Sequence, residues 1–391
     1  MMKTSVTGDA VHYMRKLGKL DAVLFGAVIL LNLMGLVSIN SISEIVGIDG
    51  ILFKQTAGSI LGLIIMTVLS TVNYKGLEKY YKILYGIVII ALAAVLVFGT
   101  SGGGARRWIG IGGITFQPSE LAKILLILFY SEFIINYMGT ISRWKVFALS
   151  TLLILPPVLM ILKEPDLSTG IMIFLIFCVI LFAAGISGKV IAGVFAAAVP
   201  SFLILLFLVL SGDSTFLGEY QTRRILAWIH PEDYANSTAY QTMNSMTAIG
   251  SGRLIGKGLS TGTSGTLLGT GFISESQTDF IFAVIGEQFG FLGCTIMIIL
   301  ITVITIRCCM IAAESSRLAD KIVASGMAAW IGLQSYLNIG VATGLLPNTG
   351  IPLPFVSYGL TSLICLYGGL GFVQNICIRN RMESQARRPH T

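Results

Sequence analysis

Residues 21–41 read DAVLFGAVILLNLMGLVSINS: one acid, then twenty positions without a charge. A helix of that length is about 30 Å long, the thickness of a bilayer's hydrocarbon core. Runs of the same kind recur at 52–72, 81–99, 118–138, 145–163, 168–187, 189–211, 280–306, 319–344 and 355–377. The whole chain has 391 residues, a mean hydropathy of +0.84 and 12% charged residues. Soluble domains carry about 25% charge, so a soluble enzyme, a disordered chain and a disulfide scaffold are excluded. A β-barrel is excluded too, because the runs are continuous rather than alternating. The expectation is an all-α, polytopic membrane protein of about ten transmembrane helices, forming a single domain over 1–391. Its first run is too long for a signal-peptide core and lacks a small-residue cleavage site.

The net charge of +7 reflects topology rather than nucleic acid. Arg15, Lys16 and Lys19 precede the first run, and Lys75, Lys79 and Lys82 lie between the second and third. Arg307, Arg317 and Lys321 lie between the eighth and ninth, and Arg379, Arg381, Arg387 and Arg388 follow the tenth. The short loops of the opposite side hold only Arg106, Arg107 and Lys163. By the positive-inside rule both termini, 1–20 and 378–391, are cytoplasmic. Residues 212–279 then form a large extracytoplasmic loop between the seventh and eighth spans. Six cysteines without CxxC spacing and three scattered histidines give no disulfide framework and no metal cluster.

Ionisable residues at membrane edges are candidates for function. Arg106, Arg107 and Trp108 read either as an interfacial belt or as an anion clamp. Downstream, Gln117-Pro118-Ser119-Glu120 opens a helix at Pro118, and Glu120 and Lys123 share one face as an ion pair. Lys163-Glu164-Pro165-Asp166 reads as an ordinary polar turn, with a re-entrant bend as the alternative. In the large loop, Arg223, Arg224 and the Gly-rich stretch around Lys257 add positive charge, without a complete Walker pattern. Glu275 precedes Asp279, which reads as a helix N-cap or as a general base. Glu287 lies two turns deeper and needs a partner, for which Lys123 is one candidate. The stretch 347–359, with Ser357 and Tyr358, reads as a broken, uncharged connection.

Together GARRW, QPSELAK, EPDLSTG, GSGRLIGKG, TDFIF and TGIPLPFVSYG resemble the SEDS family, which includes RodA, FtsW and SpoVE. The resemblance spans roughly 20–380. It implies glycosyl transfer from lipid II at the outer face of the bacterial cytoplasmic membrane. Asp279 would be the essential acidic residue of the catalytic site, and Arg107, Trp108, Gln117, Glu120 and Lys123 would fall in the binding motifs. Arg106, Arg223, Arg224, Lys257, Glu275, Ser357 and Tyr358 complete the substrate-binding set. The resemblance further implies membrane lipids and a class B penicillin-binding protein as partners, and leaves room for a divalent cation, Mg or Mn. The sequence departs from the family pattern at Glu164, Ser168, Asn244, Ser274, Gln277 and Leu360. Two other readings are a lipid II transporter and a non-catalytic scaffold.

Overall fold

The computed structural model describes residues 16–186, apart from 48, 73–78, 103–104 and 112–113. It describes scattered positions between 192 and 211, then 219–386 apart from 236, 238, 260–265 and 269–274. Among these residues, nine long helices coincide with nine of the ten expected spans. They are α1 (Ala22–Val46), α2 (Ile51–Thr71), α3 (Tyr81–Phe98), α4 (Pro118–Tyr137), α5 (Arg143–Lys163), α6 (Leu167–Ala183), α9 (Ile281–Glu314), α10 (Leu318–Ala342) and α11 (Leu360–Ala386). The seventh expected span, 189–211, falls mostly outside the described residues. Two shorter helices, α7 (Glu219–Ile229) and α8 (Tyr240–Ser251), lie in the large loop. Six of the long helices are apolar and long enough to cross a membrane by those criteria alone. The chain is a multi-pass membrane protein.

The bundle is built around α11, whose apolar window is 89% buried, against 17% for α3 at the rim. α11 lies along α2 at close range: a Cβ on Gly62 would meet the Tyr367 ring at 2.2 Å, and one on Gly371 would meet Met66 O at 3.0 Å. Small residues at such crossings let helices gain dispersion energy where lipid removes any hydrophobic drive between them. The last span starts later and ends later than its apolar run, because 355–359 is irregular and the helix continues to Ala386.

At the N-terminal end of α1, Asp21 caps the helix by accepting from Leu24 N (2.9 Å). Arg307 of α9 donates to the same carboxylate, and Arg381 of α11 lies 3.8 Å away. At the opposite end the loop between α3 and α4 forms a small antiparallel meander, absent from the expected fold. It comprises β1 (Thr100–Gly102), β2 (Ala105–Ile111) and β3 (Ile114–Phe116), in the order β1-β2-β3.

α9 is broken at Gly290, whose φ of 63° and ψ of −160° lie outside the helical region. The break is filled by the large loop. Lys257 N donates to Glu287 O, Gly258 N to Gln288 O, Phe291 N to Arg253 O and Leu292 N to Leu254 O, all within 2.8–3.1 Å. A membrane span tolerates irregular backbone only where other groups satisfy the freed N–H and C=O. Only glycine fits the contact, since a Cβ on Gly290 would lie 2.4 Å from Gly256 N.

Candidate active site

Asp279 stands at the end of a tight turn, 275–280, that leads into α9. Phe280 N and Thr278 N both donate to Glu275 O, and Thr278 Oγ1 donates to Glu275 Oε2 at 3.0 Å. The N-cap reading of Asp279 is corrected here: Phe280 occupies the cap position and α9 begins at Ile281 without a side-chain cap. The turn is fixed from below. Asn338 Nδ2, on α10, donates to both Asp279 O and Ile351 O at 2.8 Å. Ser357 Oγ donates to Thr278 O (2.6 Å) and accepts from Leu353 N (2.7 Å), while Tyr358 N donates to Gln277 O (2.8 Å). The stretch 344–359 is thus the bed on which the Asp279 turn rests.

Two arginines come to this bed from other directions. Arg107 projects from β2, where Nη2 donates to Pro165 O (3.2 Å) and Nη1 lies 3.6 Å from Asp166 Oδ2. Asp166 is held in turn by Thr169, whose N and Oγ1 both donate to its carboxylate. Arg224, on α7, donates to Asn348 O (3.0 Å), and Asn348 Nδ2 donates to Gln241 Oε1 of α8. Gly350 marks where these groups converge. A Cβ built there would lie 3.3 Å from Asp279 Oδ2 and 4.0 Å from Arg107 Nη1. Its φ of 69° also favours glycine.

Burial pushes the Asp279 carboxyl up to about 6; Glu275 and Asp166 add to the rise, and Arg224 and Arg107 oppose it. A carboxylate in that range is mostly ionised at neutral pH yet basic enough to take a proton, the balance a general base needs. Glu164, beside Asp166, is buried and raised further, to about 8; burial dominates, Asp166 adds, and Arg107 opposes. Among the described residues no group of three or more His, Cys, Asp or Glu could hold a metal ion. Asp166 is already committed to Arg107 and Thr169.

The chain matches the FtsW/RodA/SpoVE family, described as cell cycle protein, over residues 21–382. It belongs to that family. It is 35% identical over 337 residues to the Escherichia coli K12 peptidoglycan glycosyltransferase MrdB, covering 86% of this chain and 88% of that one. It is 32% identical to the probable peptidoglycan glycosyltransferase FtsW of Bacillus subtilis, over 91% and 90%. Its fold is similar to a chain of a peptidoglycan synthase complex that coordinates polymerization and crosslinking (TM-score 0.75, 29% identity, 92% and 98% covered). It is also similar to Thermus thermophilus RodA, a rod shape determining protein (TM-score 0.66, 28% identity, 92% and 96%).

Within this FtsW/RodA/SpoVE member, the residues singled out from sequence separate into groups. Glu275, Arg107 and Arg224 each act electrostatically on Asp279. Arg106 is exposed on β2, beside an irregularity in the β1–β2 pairing at Arg107. Trp108 is half-buried, and Arg223 is exposed on α7. Ser357 and Tyr358 support the turn through the bonds above. Gln117 caps α4 in position only, its backbone N donating to Thr361 Oγ1 (3.3 Å). Glu120 and Lys123 do pair, at 2.6 Å. Lys123 also donates to Gln334 Oε1 (2.9 Å), and Gln334 Nε2 donates to Pro352 O, so this buried network braces the bed from beneath. Lys257 is engaged with Glu287 (2.8 Å), which also accepts from Leu267 N and Leu268 N. That corrects the expected Glu287–Lys123 pairing.

Four contributors were not assigned to the site from sequence, where their segments read as structural turns: Asp166, Asn338, Asn348 and Gly350. The turn at 163–166 reads as ordinary polar sequence until β2 is folded over it. A polar Asn within an apolar helix, such as Asn338, was the one legible signal.

Proposed function

We propose that the chain is a peptidoglycan glycosyltransferase that polymerises lipid II at the outer face of the bacterial cytoplasmic membrane. The single observation that carries this reading is Asp279 set against Arg107 across Gly350. A carboxylate poised near neutrality and a guanidinium suited to phosphate geometry lie side by side at one end of an apolar bundle. Lipid II presents the matching parts: an isoprenoid tail, an anionic pyrophosphate and an external sugar.

In this reading Asp279 takes the proton from the C4 hydroxyl of an acceptor GlcNAc. The oxygen forms a bond to the donor's anomeric carbon as the bond from that carbon to pyrophosphate oxygen breaks. The electron pair leaves with the pyrophosphate, next to Arg107 and Arg224, and the configuration inverts. Both termini then lie in the cytoplasm, and the Asp279 end faces outward, consistent with the basic residues at the other end. The likeness to a synthase complex supports a class B penicillin-binding protein as the crosslinking partner.

The test is polymerisation of lipid II by the purified protein, alone and with a partner that cannot itself polymerise. Asp279→Asn should lower the rate by about 10²–10⁴ while the protein stays folded. Polymer made at the wild-type rate by the variant would overturn the assignment. No polymer from folded wild type would favour transport, with a translocation assay to follow.

A further inference from the structure

Glu164 is the residue at this end of the bundle that the reaction above does not use. Its side chain is almost fully buried, at 1% exposure, and neither carboxyl oxygen has a hydrogen-bond partner among the described residues. It sits at the C-terminus of α5, on the turn that Arg107 covers: the guanidinium bonds the next carbonyl, Pro165 O, and lies beside Asp166. The charged groups that face Glu164 are Asp166 from its own turn and Arg107 from β2. Arg107 Nε, like the Glu164 oxygens, is buried without a partner.

One guanidinium therefore lies on a turn that carries two carboxyls, and only that of Asp166 is paired with it and bonded to further donors. Burying a second, unpartnered negative charge there is costly, whereas burying a neutral acid costs little. We propose that Glu164 is a positioning residue for the Arg107 clamp: a proton-bearing carboxyl behind the guanidinium whose ionisation weakens the hold on an anionic donor. This rests on the reading of Arg107 as an anion clamp. With Glu164 neutral, Arg107 and Asp166 balance, and Arg224 adds positive charge for the incoming pyrophosphate. With Glu164 ionised, the same patch carries an extra negative charge beneath the anion. Binding and protonation are then linked: a bound pyrophosphate favours the neutral acid, and the proton comes from solvent. Burial, which lifts the Glu164 carboxyl to about 8, puts this linkage in the mildly alkaline range.

The experiment is a steady-state pH series between 7 and 9.5 with the purified full-length protein and lipid II. It compares wild type, Glu164→Gln and Arg107→Ala. Wild-type KM should rise about 10- to 30-fold across the series with kcat nearly level, the ceiling being set by one proton on a group titrating near 8. Glu164→Gln, neutral at every pH, should match wild-type KM at pH 7 and stay flat. A Glu164→Gln profile that rises as wild type does overturns the proposal. Arg107→Ala separates the two readings. Unchanged KM at pH 7 in that variant defeats the clamp itself, whereas a raised KM with Glu164→Gln following wild type defeats only the role of Glu164. Should Glu164→Gln fail to fold, wild type alone decides. Calorimetric binding of undecaprenyl pyrophosphate at pH 8.5 in two buffers of different ionisation heat should show net proton uptake, and zero uptake overturns the proposal.

Discussion

At Asp279 the protein keeps a charge where its surroundings disfavour one. Because burial raises this carboxyl to about 6, activity should fall as pH drops through that value, with an acid limb in kcat/KM that Asp279→Asn cannot show. The same shift has a stability consequence of opposite benefit. A carboxyl raised above its unfolded value stabilises the fold fully only below about pH 4, and that contribution is lost as pH rises through about 6. Asp279→Asn, which never ionises, should therefore unfold at a higher temperature than wild type at pH 7.5. The gap should close near pH 4; a variant no more stable at pH 7.5 would contradict this. The acid at the mouth of the eighth span was legible from sequence because ionisable groups at membrane edges are rare. Its partners were not: Arg107 and Arg224 stand far from it in the chain, and only the Asn348–Ile351 loop brings them together. Gly350 is the tightest point of that arrangement. Gly350→Ala should cut activity strongly, since the methyl group is strained by φ and sits at 3.3 Å from the Asp279 carboxylate. Wild-type turnover by this variant would show that the space over Gly350 is not used.

Among the elements, helices were the readable part and their irregularities were not. Long apolar runs, with charges only near their ends, fix α1, α2, α3 and α5 without reference to any neighbour, because the bilayer acts on each span alone. The β1-β2-β3 meander escaped notice because two of its strands have three residues each, too few for an alternating pattern to register. The break in α9 escaped for another reason. Gly290 lies in an apolar run where glycine is common, and nothing local says that residues 253–258 return to fill the gap. The pairing of Glu287 with Lys257 follows from that return, which is why the sequence offered Lys123 instead. Gly290→Ala should be among the most damaging single substitutions in this helix: the added carbon collides with Gly256 N and the residue must hold a positive φ. Thermal unfolding in detergent should show a loss of several degrees or no folded protein; an unchanged midpoint would mean that the loop docks elsewhere.

Across the whole molecule, the two ends of the bundle are organised by charges with opposite pH behaviour. Burial raises the Asp21 carboxyl, but the Arg307 hydrogen bond, the Leu24 N–H and the charges of Arg307 and Arg381 outweigh it, so the net shift is downward. A depressed carboxyl stabilises the fold above its unfolded value near 4, and the contribution is lost as pH falls below it. Asp21→Asn should therefore cost about 3 kcal/mol at neutral pH, near the low end for a broken buried pair because Arg307 reaches solvent. Equal stability of variant and wild type at pH 7 would show that the helix cap suffices together with Gln374, which accepts from Asp21 N (2.8 Å) and donates to Asp21 O (3.1 Å). Membrane class and the order of the spans were legible because they follow from hydropathy and from where Lys and Arg fall. The site was legible as a set of motifs but not as a geometry. The filled break in α9 bears on how the chain is made. Residues 253–258 leave the ribosome before residues 286–292, so the filler is synthesised ahead of the gap. A span with unmet amides would be a poor substrate for insertion, yet here its complement is already in place on the preceding stretch of the nascent chain. Moving that stretch after the span, as a circular permutation would, should therefore hinder biogenesis even where the finished contacts are the same.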